Sequence, residues 1–201
     1  MTTSSPVRVV LIGGSTRPGS SSEKAVRVCA AAAEAVGAEV DVIVSRELMF
    51  PIYDTETTER TPEAKRFVQA VRAADALIVA SPGYHGSMSG MIKNVLDYIE
   101  DLRAGPRVYL DQMPVGCVAV SYGWQATVTT LQSLRTTVHA LRGWPSPLGA
   151  TVNASMKIFD ETGACIDDSA RFQLETVAHQ VVEFARLRKS GYKPDLESAP
   201  E

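Results

Sequence analysis

Residues 13–22 read G-G-S-T-R-P-G-S-S-S. Two glycines let a backbone pass close to a ligand. Ser15, Thr16, Ser20, Ser21 and Ser22 supply hydroxyl donors, and Arg17 supplies a guanidinium that can fork onto paired oxygens. The stretch follows the apolar run V-R-V-V-L-I (residues 7–12) and opens a strong helix former. The first turn of such a helix carries unpaired N–H groups and roughly half a positive charge, which suits an anion. The glycine spacing is neither G-x-G-x-x-G nor G-x-x-x-x-G-K-[ST]. This disfavours a Rossmann dinucleotide site and a nucleotide-hydrolysing loop. A terminal monophosphate fits the hydroxyls and the single arginine. A helix cap with solvated serines fits them equally well when the loop is read alone.

Two further loops carry the same mixture of small and flat residues. Pro82, Gly83, Tyr84, His85 and Gly86 follow the run D-A-L-I-V-A-S. Pro82 lacks a donor and is expected to end the strand ladder. The glycines open amides, and Tyr84 offers an apolar face. Taken alone, Tyr84 reads as a core aromatic and His85 as a hydrogen-bonded surface histidine. Ser121, Tyr122, Gly123 and Trp124 follow P-V-G-C-V-A-V in the same way. Three such loops on one sheet edge would make one site, with phosphate at the first and a flat polar heterocycle across the other two.

The elements that must bring these loops together alternate in period. Strands are expected at 7–12, 39–44, 75–82 and 114–121, with a fifth within 144–153; the loops begin where these runs end. Helices are expected at 20–36, 62–73, 91–102, 126–141 and 168–189. Ser20 with Glu23 makes a capping box, and Thr61 caps a helix that Pro62 begins. Residues 45–65 form a long, irregular surface connection. Strands alternating with helices imply a parallel sheet covered on both faces, with ligands outside the strands' carboxyl ends. Residues 1–190 read as one domain, and 191–201 as a frayed tail.

The totals narrow the function classes. The net charge of −3 gives no basic stripe for a nucleic acid. No apolar run approaches a membrane span, and no export signal is visible. Cys29, Cys117 and Cys165 lie far apart, which suits buried, reduced thiols and a cytoplasmic setting. His85, His139 and His179 show no metal-ligand spacing.

With these residues in view, the chain resembles the NAD(P)H-dependent FMN reductase family. G-S-T-R-P-G-S-S-S matches that family's G-S-x-R-x-x-S loop. S-P-G-Y-H-G-S-M-S-G-M-I-K-N-V-L-D-Y matches its [ST]-P-E-Y-N-G-S-x-x-G-x-L-K-N-x-[LI]-D-[WY] segment. The resemblance extends over about residues 7–184. It implies a flavodoxin-like, doubly wound five-stranded parallel sheet of order 2-1-3-4-5 in three layers. It also implies FMN as cofactor and NAD(P)H as electron donor. Ser15, Arg17, Ser20, Ser21 and Ser22 would hold the FMN phosphate. Pro82, Gly83, Tyr84, His85 and Gly86 would lie along the ribityl and ring, with Ser121, Gly123 and Trp124 closing the far side. Gly83 stands where the family has Glu, and His85 where it has Asn.

The flavin carries the hard chemistry. No acid–base, nucleophilic or metal-ligating residue is therefore expected, and His85 is the one candidate proton donor. Arg46, Arg60 and Arg103 are the candidates for a second NADPH phosphate. The resemblance further implies a homodimer or homotetramer, in which Lys93 and Asp97 are either a surface pair or an intersubunit pair. The acceptor would be a small molecule such as a flavin or quinone, or reduced FMN would be released, for instance to a partner monooxygenase. Three alternatives remain: a quinone or azo-compound reductase with tightly bound FMN, a flavodoxin-type electron carrier, and a non-catalytic ligand-binding member. The near balance of 23 acidic and 20 basic residues argues against the carrier, which docks through a densely acidic surface.

Overall fold

A computed structural model describes residues 5–191. Its first strand, β1 (Arg8–Gly13), sends Val9 and Leu11 into one apolar cluster and Val10 and Ile12 into another. A strand buried on both faces must be apolar nearly throughout, which is what its sequence spells. Helix α1 (Ser21–Ala35) crosses over to β2 (Glu39–Val44), which pairs in parallel with β1 from Arg8↔Glu39 to Gly13↔Val44. A 3-10 turn, Ser45–Leu48, begins the long connection to α2 (Pro62–Ala73), where Thr61 Oγ1 caps Ala64 N.

Strand β3 (Ala76–Tyr84) lies beside β1, and β5 (Pro114–Ser121) beside β3. Between them come the two-residue strand β4 (Ser87–Met88) and α3 (Gly90–Asp97), continued by a 3-10 turn at Tyr98–Leu102. Helix α4 (Trp124–Ala140) follows β5. The last strand position is filled by two pieces that both pair in parallel with β5: β6 (Trp144–Pro145) and β7 (Ala150–Asn153). Helix α5 (Asp168–Lys189) ends the described chain.

The expected order 2-1-3-4-5 is thus present as β2-β1-β3-β5 and then β6 with β7. The fifth strand is divided because Pro145 and Pro147 flank Ser146 and cannot donate to a ladder. Helices α1 and α5 cover one face through Val26, Val177 and Val181. Helices α2, α3 and α4 cover the other through Phe67, Ile92, Leu134 and Val138. No helix among the described residues is long and apolar enough to cross a membrane. The expected C-terminal tail lies outside the described residues, except for Gly191.

Two expectations are corrected. Pro82 is, as expected, the last residue of β3 in register with β5, opposite Val120, but the strand itself continues to Tyr84 by pairing with β4. Strand β1 has stopped at the level of Ala80, so beyond that point β3 is an edge on one side and tolerates a residue without N–H. Trp124 does not lie in an exit loop but starts α4, two residues earlier than the expected helix.

Candidate functional site

The three strand exits meet at the carboxyl edge of the sheet. At the first, Gly13 ends β1 against α1, where an added Cβ would stand 2.4 Å from Val26 Cγ2. Gly14 and Gly19 take φ of 109° and 67°, a region that glycine enters freely. Ser20 Oγ caps α1 by accepting from Glu23 N at 3.3 Å, and it lies 3.2 Å from Ser22 Oγ. Both hydroxyls are buried, whereas Ser21 is half-buried. Ser15 Oγ accepts from Arg17 N at 3.2 Å and so shapes the loop's first turn. The Arg17 side chain is exposed, and its guanidinium meets no acceptor among the described residues.

The sequence reading missed what fixes this loop. The carboxylate of Glu23 is buried and accepts from Gly19 N (2.9 Å), Ser45 Oγ (2.8 Å) and Arg27 Nη2 (2.8 Å). Burial alone would raise its pKa, but the bonds from Arg27, Gly19 and Ser45 outweigh it and hold the carboxyl below the usual value. The box expected between Ser20 and Glu23 is therefore displaced: the carboxylate reaches Gly19 N instead of its own cap residue. Ser45 is buried with φ of 52°, a strained setting that ties the end of β2 to the loop. The i,i+4 spacing of Glu23 and Arg27 is a signal that could have revealed that pair, but nothing in sequence points to Ser45.

At the second exit the chain makes a hairpin rather than an open loop. Gly83 pairs with Met88 and Tyr84 with Ser87, leaving His85 and Gly86 as a two-residue turn with φ of 50° and 85°. Two positive φ values mark the tight hairpin turn for which Asn-Gly is the preferred pair. His85 stands where Asn is easiest, and its ring is exposed. The hairpin leans on α4 through Ser87 Oγ and Ser133 Oγ at 2.9 Å. A side chain at Gly83 would have to displace two hydroxyls, since its Cβ would lie 1.9 Å from Ser121 Oγ and 2.2 Å from Thr130 Oγ1. The space next to the family's Glu position is filled by those two hydroxyls.

At the third exit Ser121 is buried, and its Oγ has no hydrogen-bond partner among the described residues. An orphaned hydroxyl at the mouth of a strand fits a polar group of a bound ligand. Gly123, with φ of 94°, stands at the start of α4, and its N–H donates to Asn153 Oδ1 at 2.9 Å. No side chain caps that helix. Tyr84, Tyr122 and Trp124 are all strongly exposed along this edge. Exposed aromatics, a free guanidinium and an orphaned hydroxyl on one edge fit a phosphate-tailed planar heterocycle.

The other candidates divide. Arg60 is committed to the fold: it forks onto Asp101 (2.8 and 2.9 Å) and stacks on Tyr53 and Tyr98. Arg103 reaches Glu100 at 3.6 Å, and Arg46 is exposed. Lys93 and Asp97 form a 2.6 Å surface pair on α3. Burial pushes the Cys29 and Cys117 thiols up to about 12.

Comparison with known proteins places this arrangement. The profile of the family described as NADPH-dependent FMN reductase matches residues 7–156. An NAD(P)H-dependent FMN reductase of Pseudomonas aeruginosa is 31% identical over 175 residues, covering 84% of this chain and 89% of the relative. An NADPH azoreductase of a Bacillus species is 30% identical over 145 residues, covering 71% and 73%. Among solved structures, a flavoenzyme NAD(P)H:(acceptor) oxidoreductase of Paracoccus denitrificans superposes with a TM-score of 0.72 at 16% identity, covering 90% of this chain and 98% of that one. A WrbA-like flavodoxin protein of Agrobacterium tumefaciens gives 0.64 at 18%, covering 90% and 98%. At these identities the structures speak for the fold alone, which is flavodoxin-like.

Proposed function

Since the chain belongs to the NADPH-dependent FMN reductase family, we propose that the edge described above holds FMN and that the protein is an FMN-dependent oxidoreductase driven by NAD(P)H. When bound, FMN supplies the redox chemistry, taking a hydride from the reduced nicotinamide and passing two electrons on.

The chain's own residues bind, orient and exclude water. Arg17, the first-turn amides of α1, Ser15 and Ser21 receive the phosphate. Ser20 and Ser22, turned toward each other, shape that turn from beneath. Pro82, Gly83, Tyr84, His85 and Gly86 lie along one side of the ribityl and ring, and Ser121, Gly123 and Trp124 along the other. The orphaned Ser121 Oγ donates to a ring heteroatom. The amides at the uncapped start of α4 favour negative charge that develops nearby. The exposed imidazole of His85 supplies a proton at the hairpin tip. No nucleophile is needed, because alignment of two flat rings provides the rate.

The observation that carries the reading is the exposed Arg17 guanidinium set at the start of α1, inside a loop whose shape Glu23 and Ser45 already fix. We further place the protein in the cytoplasm as a homodimer or homotetramer. Its acceptor is a small molecule such as a flavin, quinone or azo compound, with release of reduced FMN to a partner monooxygenase as the other outlet. The test is the absorption spectrum of the purified protein under nitrogen, before and after NADPH. A yellow protein that bleaches without a partner reductase agrees with an enzyme. One that stays yellow is a carrier, and one that refuses added FMN is a non-catalytic binder.

A further inference from the structure

Beside the third exit lies a cleft of about 100 Å³ that no expectation assigned. Trp124, Met156 and Ile158 give it apolar walls, and Asn153, Asp167 and Gln173 give it polar ones. Asn153 ends β7 and is only 5% exposed. Its Oδ1 accepts from Gly123 N (2.9 Å), Ser155 N (3.1 Å) and Ser155 Oγ (2.7 Å). Two backbone donors on one oxygen fix which end of the amide is which. The Nδ2 group is then the polar end left over, and it has no partner among the described residues. Gln173 on α5 repeats the arrangement. Its Oε1 accepts from Thr151 N at 3.1 Å, and its Nε2 has no partner among the described residues.

Two residues whose amide oxygens are already engaged thus line one cleft, together with the exposed indole of Trp124. Asn153 is nearly buried and Gln173 half-buried, but neither amide nitrogen is sealed from water, so both donors are available to a molecule that enters the cleft. The carboxylate of Asp167, which caps Ala170 N at 2.7 Å, forms another wall and disfavours an anion. What remains is a neutral, flat ring that carries an exocyclic carbonyl oxygen. The indole of Trp124 would cover its face, and the two amides would donate to its oxygen.

We propose that Asn153 Nδ2 and Gln173 Nε2 form a carbonyl-recognition subsite for the molecule that exchanges electrons with the flavin. This rests on the flavin-reductase reading above. The cleft adjoins that site through Trp124, and Asn153 of its lining accepts from Gly123 N, yet its donors come from β7 and α5. Two reaction partners share the required chemistry: the nicotinamide carboxamide of the donor and the carbonyl of a quinone acceptor.

The experiment follows the side-chain NH2 signals of Asn153 and Gln173 by NMR in nitrogen-15-labelled holoprotein. Oxidised methylnaphthoquinone and free nicotinamide are added separately, and neither reacts with oxidised flavin. Movement of both NH2 pairs by the quinone assigns the cleft to the acceptor, and movement by nicotinamide assigns it to the donor. Either result, or both, supports the subsite. Gln173→Glu keeps an acceptor for Thr151 N and removes the donor. It should raise KM for the matching substrate roughly three- to tenfold, the scale of one neutral hydrogen bond, and leave the other KM alone. The proposal is overturned if neither probe moves the signals, or if Gln173→Glu leaves unchanged the KM of the substrate whose probe moved them, or raises the KM of one whose probe did not. A holoprotein that does not bleach with NADPH but still shifts the two amides would sink the reductase reading and leave the cleft standing.

Discussion

Gly83→Ala tests how the site is packed. A Cβ at this position would stand 1.9 Å from Ser121 Oγ, 2.2 Å from Thr130 Oγ1 and 3.1 Å from Ser121 Cβ. To reach even 3.0 Å, the serine oxygen must withdraw by about 1.1 Å, the difference between 3.0 and 1.9. Ser121 lies on a strand covered on both sides, and Thr130 is fully buried in α4, so neither has open space behind it. The two hydroxyls could rotate, since Ser121 Oγ holds no partner and Thr130 Oγ1 makes only a 3.4 Å bond to Ser87 O. The Cβ of Ser121 cannot rotate away. Overpacking of this kind costs about 1–3 kcal/mol, and because the two severe contacts are hydroxyls while the Cβ already stands at 3.1 Å, this case falls toward the lower end. Urea unfolding of the FMN-free protein should show the loss as a lower midpoint with an unchanged slope. Adding Ser121→Gly removes two of the three offending atoms, leaving Thr130 Oγ1, and should restore part of it. A Gly83→Ala protein as stable as the parent would mean that the hairpin is not seated against β5 and α4 as described. The same geometry suits a glycine at this position: a larger side chain would have to expel the two hydroxyls.

Arg17→Ala should weaken FMN binding by about 1.5–3 kcal/mol, the value of a charge-assisted hydrogen bond, read by flavin fluorescence titration; unchanged affinity removes the phosphate role. His85→Asn should stabilise the fold by up to about 1 kcal/mol in thermal melts, because Asn enters the left-handed region more easily. Glu23 has a folded-state pKa below its usual 4.5, so its contribution is present above that value and is lost as pH falls through the lowered one. In Glu23→Gln that portion of the acid sensitivity should vanish from urea midpoints measured across the window, and an identical pH profile would refute the network. Cys29→Ser should leave turnover intact, because a thiol pushed up to about 12 offers no thiolate at neutral pH; a dead enzyme would reveal thiol chemistry.

The framework was legible where a single element decides it. An unbroken apolar run marks a strand buried on two faces, and β1, β2 and β5 fall where their runs predict. Helix α5 starts and stops at the expected residues because its caps are local. The hairpin at Tyr84–Ser87 was not legible, since His-Gly is an uncommon turn pair and Pro82 argued for an earlier end. What closes the site was hidden for a different reason. Ser45, Asn153, Thr130 and Gln173 act on residues between 22 and 47 positions away, and no periodicity reports such pairings. The loop after β1 shows the division: its glycines, serines and arginine were readable as a group, but the Ser45 contact that holds it in shape appears only once β2 lies beside β1.

The divided fifth strand has a bearing on how the molecule keeps company. Sheets propagate between molecules by offering an outer row of free amides and carbonyls. Here that border is broken into a two-residue and a four-residue piece, with Pro145 and Pro147 where donors would otherwise stand. A neighbouring copy finds too short a template there to extend the sheet. Edge-to-edge pairing is therefore disfavoured on this side of the sheet, whereas the opposite border, β2, is an unbroken six-residue strand.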